Sequence, residues 1–264
     1  MSDIPKCDYH IHTKYLRCAN ETMGIQAIVD KCQELGMTSC AITDHWRGLY
    51  EKEQHLLIQK DLEALNPEID IYFGAEVNDF GNDDWGFTED LMAECGFQLA
   101  IGGIHGACVD EYDLKKIVDF QHHCHINACQ NPILDVLVHP YWFWKGEWDE
   151  KGWPWPETMK MVPEDYAREL GQLAKETGTA IEINGGAVLD GCYGEQFCRE
   201  YVEDYLAAIA DEGAIFMLGS DAHDINGLKS VEASWQAAEK LGLTADRIWH
   251  PKGKPFKRGL KPEG

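Results

Sequence analysis

The most constraining feature of this chain is a recurrence of seven short, nearly uninterrupted apolar runs, each followed by a stretch with helical periodicity. The runs cover residues 7–11, 38–43, 69–77, 97–104, 133–138, 179–184 and 214–219. Runs this short and continuous fit parallel strands covered on both faces, where polar–apolar alternation is lost. The intervening stretches carry their own signals. Ile25, Ile28, Val29, Cys32 and Leu35 recur at helical spacing until Gly36 stops them. Pro163 opens and Gly178 closes another helix, with Tyr166, Leu170, Leu173 and Ala174 on one face. Segments 195–212 and 227–241 read as helices too. This alternation predicts one α/β domain over residues 1–250, either a barrel or an open doubly wound sheet. No glycine-rich phosphate loop follows the first run, so the nucleotide-binding forms of the open sheet lack support.

Composition narrows the function. The 264 residues, 44% hydrophobic and 26% charged, are sufficient for a sizeable core and exclude wholesale disorder. No apolar stretch reaches the length of a membrane span, and the opening MSDIPKCDYH lacks a basic-then-apolar leader pattern. A cytoplasmic location is therefore expected. Net charge is −23, and five of the 23 basic residues (Lys252, Lys254, Lys257, Arg258, Lys261) crowd the last 14 positions. Such acidity opposes binding along a long nucleic acid, which depends on Lys and Arg contacts to phosphate. The ten cysteines are scattered with no C-x-x-C pair, so reduced thiols are expected. The proline-, glycine- and lysine-rich tail 251–264 is expected to be loosely held and dispensable for catalysis.

The chemistry sits where the runs end. The first run ends His10-Ile-His12, with both imidazoles on one face by period-two alternation. The second ends in Asp44-His45, the third in Glu76, the fourth in His105, the fifth in His139, and the seventh in Asp221-Ala-His223. In a parallel barrel the C-terminal strand ends converge on one rim. Six of seven ends carrying histidine or carboxylate is the donor set preferred by zinc, manganese or iron. Lys14, Arg17 and Arg47 follow metal-type strand ends and are candidates to hold a phosphate. Asn184 shares a strand face with Glu182 and is a candidate substrate contact. Asp44 is expected to orient a neighbouring ligand. His122, His123 and His125 are not spaced for one helix face and are expected to be solvent-facing. Residues 141–156, with five tryptophans, are expected to form a long, partly ordered loop. Its aromatic side chains, Trp142 among them, would either wall the substrate or pack the loop down.

The segments HIHT, ITDH, GAEVN, GGIHG, LVHP and GSDAH, in this order from His10 to His223, resemble the motifs of the PHP (polymerase and histidinol phosphatase) family. The resemblance implies a distorted seven-stranded (β/α) TIM-like barrel holding two or three divalent metal ions. It places one ion on His10, His12, Glu76 and Asp221. A second shares Glu76 and adds His105 and His139, and a third takes His45, His223 and one residue after HIHT. That last position, a histidine in relatives close to histidinol phosphatase, is Cys18 here, and a thiolate is a competent zinc ligand. A second departure follows Glu182-Ile-Asn184, where an arginine typical of histidinol phosphatases is replaced by GGAVLDGC. The implied activity is phosphate ester hydrolysis of a small molecule by a hydroxide bridging the Glu76 and Asp221 sites, as in phosphomonoesterases. Two alternatives stand beside it. One is a phosphodiesterase or exonuclease on nucleotides or short oligonucleotides, and the other is a non-catalytic metal-bound interaction module.

Overall fold

The computed structural model describes residues 4–79 and 85–260. Its strands are β1 (Cys7–Asp8), β2 (Ser39–Ile42), β3 (His45–Trp46), β4 (Asp70–Asp79), β5 (Leu99–Ile104), β6 (Val136–Leu137), β7 (Ala180–Asn184) and β8 (Phe216–Gly219). All pairings between them are parallel, along the path β1-β2-β4-β5-β6-β7-β8. β3 continues the second stave and also pairs with β4. Between β2 and β3 the stave stays hydrogen-bonded in register on both sides: the Thr43 amide donates to the Ile11 carbonyl (3.0 Å). The Asp44 carbonyl then accepts from the Glu76 amide (3.0 Å).

The first and last staves meet. The Tyr9 amide donates to the Leu218 carbonyl (3.0 Å), the Asp221 amide to the His10 carbonyl (2.8 Å), and the His12 amide to the Ala222 carbonyl (3.2 Å). This seam closes seven staves into a barrel and excludes the open sheet. All residues of β2, β5, β7 and β8 are buried, as expected of strands with side chains inside and helices outside.

Helix ends follow the sequence signals. α1 (Ile25–Glu34) stops before Gly36, and α6 (Glu164–Thr177) begins after Pro163 and ends on Gly178 at φ 79°. Other helices used below are α2 (Lys52–Ala64), α3 (Glu89–Cys95), α4 (Leu114–Gln130) and α5 (Lys145–Lys151).

Three expectations are corrected. The tail is not loose over residues 251–260, and its last four residues lie outside the described ones. Lys257 exchanges two backbone hydrogen bonds with Ile71 (2.8 and 3.0 Å), the Leu260 amide donates to the Pro67 carbonyl, and the Phe256 ring packs 5.7 Å from Phe73. Edge pairing with β4 outweighs the tail's poor composition. The 141–156 segment contains α5 and is ordered by the fully buried Trp148, whose ring meets those of Phe143, Trp153 and Trp155 at 5.1–5.8 Å. Finally, α4 turns only His123 outward. His122 stacks on Tyr166 at 3.9 Å, and the buried His125 meets the Tyr141 ring edge-on. Their i, i+3 spacing places this pair on the helix's inner face.

Candidate metal centre and active-site cavity

The six strand ends deliver their side chains to one point on the C-terminal rim. Glu76, fully buried, stands at its middle. Its Oε1 lies 3.0 Å from His139 Nε2 and 3.1 Å from His105 Nε2. Its Oε2 lies 2.7 Å from His45 Nδ1 and 3.5 Å from Nε2 of both His10 and His12. Asp221 Oδ1 is 3.1 Å from His12 Nε2 and 3.6 Å from His10 Nε2. Among the described residues donor atoms thus gather in three groups, each within 4.8 Å: His10, His12 and Asp221; His45, Glu76 and His105; and His12, Cys18, His45 and His223.

The grouping differs in detail from the one the resemblance implied. His45 stands with Glu76 and His105 as well as beside Cys18, and His12 reaches two groups. Its Nε2 faces Asp221 while its Nδ1 lies 4.0 Å from Cys18 Sγ. A neutral imidazole offers one lone pair, so the His12 tautomer decides which group it completes.

These side chains fit metal ions. His45 Nδ1 and Glu76 Oε2 approach to 2.7 Å, yet neither has a properly directed hydrogen-bond partner. His10 and His12 turn their Nε2 atoms toward each other at 3.1 Å, where only one can carry a proton. Such crowding of buried, electron-rich donors is what a divalent cation resolves.

Electrostatics tell the same story. Burial pushes the Glu76 carboxyl up, but the imidazoles of His45, His105 and His10 overcome it and hold the acid well below the usual carboxylate range. Burial likewise opposes charge on His10, yet Glu182, Asp221 and Glu76 raise its basicity well above normal. His12, buried beside His223 and His45, is driven well below. Burial and the nearby Asp44 carboxylate push the Cys18 thiol up to about 12, so a cation there must displace a proton.

Two ligand-type residues are held in strained backbone. His139 sits at φ 31° and Asp221 at φ 57°, in a region disfavoured for residues with a Cβ. The His139 amide is fixed by Glu182 Oε2 at 2.7 Å, and that of Asp221 by the seam bond to His10.

Supporting residues go beyond the sequence reading. Glu182, buried, accepts from His10 Nδ1 at 2.8 Å, the His139 amide and Asn184 Nδ2 at 3.0 Å. Gly219 makes room for this contact, because a Cβ there would lie 2.2 Å from Glu182 Oε1 and 2.7 Å from His10 Cβ. Asp8 Oδ1 accepts from the amides of Ser220 (3.0 Å) and His10 (3.2 Å), and burial raises its carboxyl to about 7. Only the strand-face parity of Glu182 hinted at this role. Asp44 orients backbone rather than a ligand ring, with Oδ1 accepting from the Thr13 amide at 2.9 Å. Asn184 is fully buried, accepts from the Ala187 amide and lies 3.4 Å from Asp221 Oδ2, so it belongs to the supporting network.

A cavity of about 460 Å³ opens over the centre, lined in part by His45, His105, Trp142, Asp221 and His223. Lys145 is the cation lining it among the described residues. Lys14, Arg17 and Arg47 lie elsewhere: Lys14 pairs with Glu21, Arg47 with Glu51 at 2.9 Å, and Arg17 is exposed. The structure does not bring these three to the cavity. Lys145 was missed because its position depends on the fold of the tryptophan-rich segment.

This barrel and histidine–carboxylate centre define a metal-dependent hydrolase of the phosphoesterase class. The chain belongs to the PHP domain family, whose profile matches residues 8–186. It is 23% identical over 250 residues to the Bacillus subtilis (strain 168) DNA polymerase/3'-5' exonuclease PolX, covering 89% of this chain. The chain spans only 37% of that protein's length. It is 26% identical over 262 residues to a protein of Thermoanaerobacter sp. (strain X514) named probable phosphatase, covering 96% of this chain and 94% of that protein. A solved structure from Listeria monocytogenes, provisionally named a histidinol phosphatase, shares the fold with a TM-score of 0.58 at 14% identity. It covers 84% of this chain and 97% of its own. Among the described residues no helix is long and apolar enough to cross a membrane.

Proposed function

We propose that this chain hydrolyses phosphate monoesters of small molecules at the strand-end centre, where Glu76 would help to hold two ions. The observation that carries this reading is the convergence of five imidazoles on the two oxygens of one buried carboxylate beneath a cavity of small-molecule size. His10, His12 and Asp221 would hold one ion, and His105 and His139 another. His45, His223 and Cys18 would hold a third, with zinc, manganese or iron as the metals the donors suit. When bound, the ions supply Lewis acidity toward the phosphoryl oxygens and the attacking water.

The chain's own residues set the stage for that chemistry. Glu182 accepts the Nδ1 proton of His10 and so leaves Nε2 free to coordinate. The same carboxylate anchors the His139 backbone, and Asp8 anchors those of His10 and Ser220. Trp142, with its ring 5.2 Å from His139 and 5.7 Å from His105, shields one side of the centre from water. Lys145 lines the cavity and would share its charge between Asp149 and a single substrate anion.

A second reading is favoured by the likeness to the Bacillus subtilis polymerase/exonuclease: cleavage of phosphodiesters in nucleotides or short oligonucleotides. The deciding experiment is a panel of phosphate mono- and diesters offered to protein whose metals have been counted. Turnover of small monoesters is the expected result. Preference for diesters selects the second reading, and no turnover by fully metallated protein refutes both.

A further inference from the structure

We propose that the cavity mouth is a slot for a flat ring, so that the preferred substrate is a phosphate monoester of an alcohol that carries an aryl or heteroaryl ring. This deepens the phosphoesterase reading and rests on it. Trp142 forms the inner part of one wall, half-buried against His105 and His139. Trp144 forms the outer part and is 56% exposed, an unusual situation for an indole. It is nonetheless held in place. Its ring lies against Gly146, where a Cβ would come within 2.8 Å of Cε2, and its carbonyl accepts from the Glu147 amide at the start of α5. α5 in turn is pinned by the buried Trp148 and by Glu147, whose Oε2 accepts from the Ala107 amide at 3.0 Å. An exposed aromatic on a rigid base is preorganised for stacking, with little ordering cost left to binding.

The rest of the lining is rich in residues with little or no side chain. Gly186, Ala187, Gly191 and Gly227 belong to it, and Gly186 packs so tightly that a Cβ would fall 2.2 Å from the Ser220 carbonyl oxygen. Two indoles in a cavity whose lining also includes these small residues offer a planar group a surface to stack on and room beside it. Charge refines the class. Asp190 and Asp224 line the same cavity, whereas Lys145 is already paired with Asp149 at 2.5 Å and lies 5.4 Å from the Trp155 ring. A second phosphate would meet two carboxylates, while hydroxyl or amine donors on the ring would meet acceptors. The substrate therefore carries one phosphate and a donor-bearing ring.

The test compares benzyl phosphate with propyl phosphate, whose leaving alcohols are chemically similar, using the metal-loaded full chain. The wild type is expected to favour the benzyl ester in kcat/KM. Trp144→Ala is expected to reduce that preference about fivefold to tenfold. Gly146→Ala, which pushes the indole from its seat, should reduce it in the same direction at unchanged metal content. Calorimetry with benzylphosphonate and propylphosphonate reads the slot without turnover. If neither ester is hydrolysed, the phosphoesterase reading falls while the phosphonate pair still decides the slot. Equal affinity for the two phosphonates, or a benzyl preference that survives Trp144→Ala, overturns the inference.

Discussion

Replacing Glu182 by Gln changes one atom of a buried carboxylate and should disable a centre to which it supplies no donor atom. The carboxylate accepts three hydrogen bonds: from His10 Nδ1 at 2.8 Å on one oxygen, and from the His139 amide and Asn184 Nδ2 at 2.7 and 3.0 Å on the other. A glutamine can accept on one side only. If its oxygen keeps His139 and Asn184, its NH2 faces His10 Nδ1. That ring must then carry its proton on Nε2, the atom turned toward His12, Glu76 and Asp221. If the amide is reversed, its NH2 meets two donors, each left unpaired at about 1–3 kcal/mol. The first arrangement is the cheaper, so the damage falls on His10 as a ligand. Losses of metal affinity on changing such an orienting partner run at about 10- to 100-fold. Competition against a chromophoric chelator at fixed pH measures that loss, and nitrogen-15 spectra of the imidazoles report the tautomer. A Glu182→Gln protein that binds metal within twofold of wild type, with Nε2 of His10 unprotonated, would refute the reasoning.

Three further outcomes are expected. Cys18→Ser should lower the bound metal count by up to one ion and remove the sulfur-to-metal absorption of cobalt-loaded protein, while Cys18→His restores the count; equal counts in all three proteins refute ligation by Cys18. Truncation after His250 should lower stability by about 2–4 kcal/mol, through lost Phe256 packing and the Lys257 backbone pair, and leave kcat unchanged because that contact lies at the start of β4, far from Glu76; denaturant melts and assays of the two lengths check this. Burial holds His55 down at about 4 against its usual 6.5, so the unfolded chain takes up this proton first and the stability this residue contributes is lost as pH drops from 6.5 to 4; His55→Phe should make the acid limb shallower in denaturant melts.

The ligand-type residues were legible because a parallel strand advertises itself as an apolar run and its last polar residue marks the rim. The ordered motifs around His10, Glu76, His105, His139 and Asp221 then fixed the architecture. What was not legible depends on contacts across the barrel. Glu182 reads as an ordinary polar residue in β7 until β1 and β6 bring His10 and His139 against it. Lys14, Arg17 and Arg47 follow the right strands, but loop direction carries them away from the cavity, and Lys145 arrives there from a helix. That helix was hidden because Trp144, Gly146 and Trp148 are weak helix signals, and its order comes from aromatic packing rather than propensity. The tail was misread for a related reason. Its composition is that of a loose end, but its backbone pairs with Ile71.

The seam between β1 and β8 would give the proposed metal centre a second role, in assembly. His10 and His12 come from the beginning of the chain, Asp221 and His223 from near its end, and Ser220 meets the His10 carbonyl across 210 residues. Closing a loop of that length costs an unstructured chain about 5 kcal/mol before any contact compensates. Ions held as proposed above would draw ligands from both ends and act as a clasp on the last gap of the barrel, so their binding energy would also hold the ring shut. A ribosome-bound chain still lacking β8 has only part of the ligand set, and full loading must wait until the final stave is in place. Metal supply in the cell would thereby set how much of this protein remains folded, as well as how much of it is active.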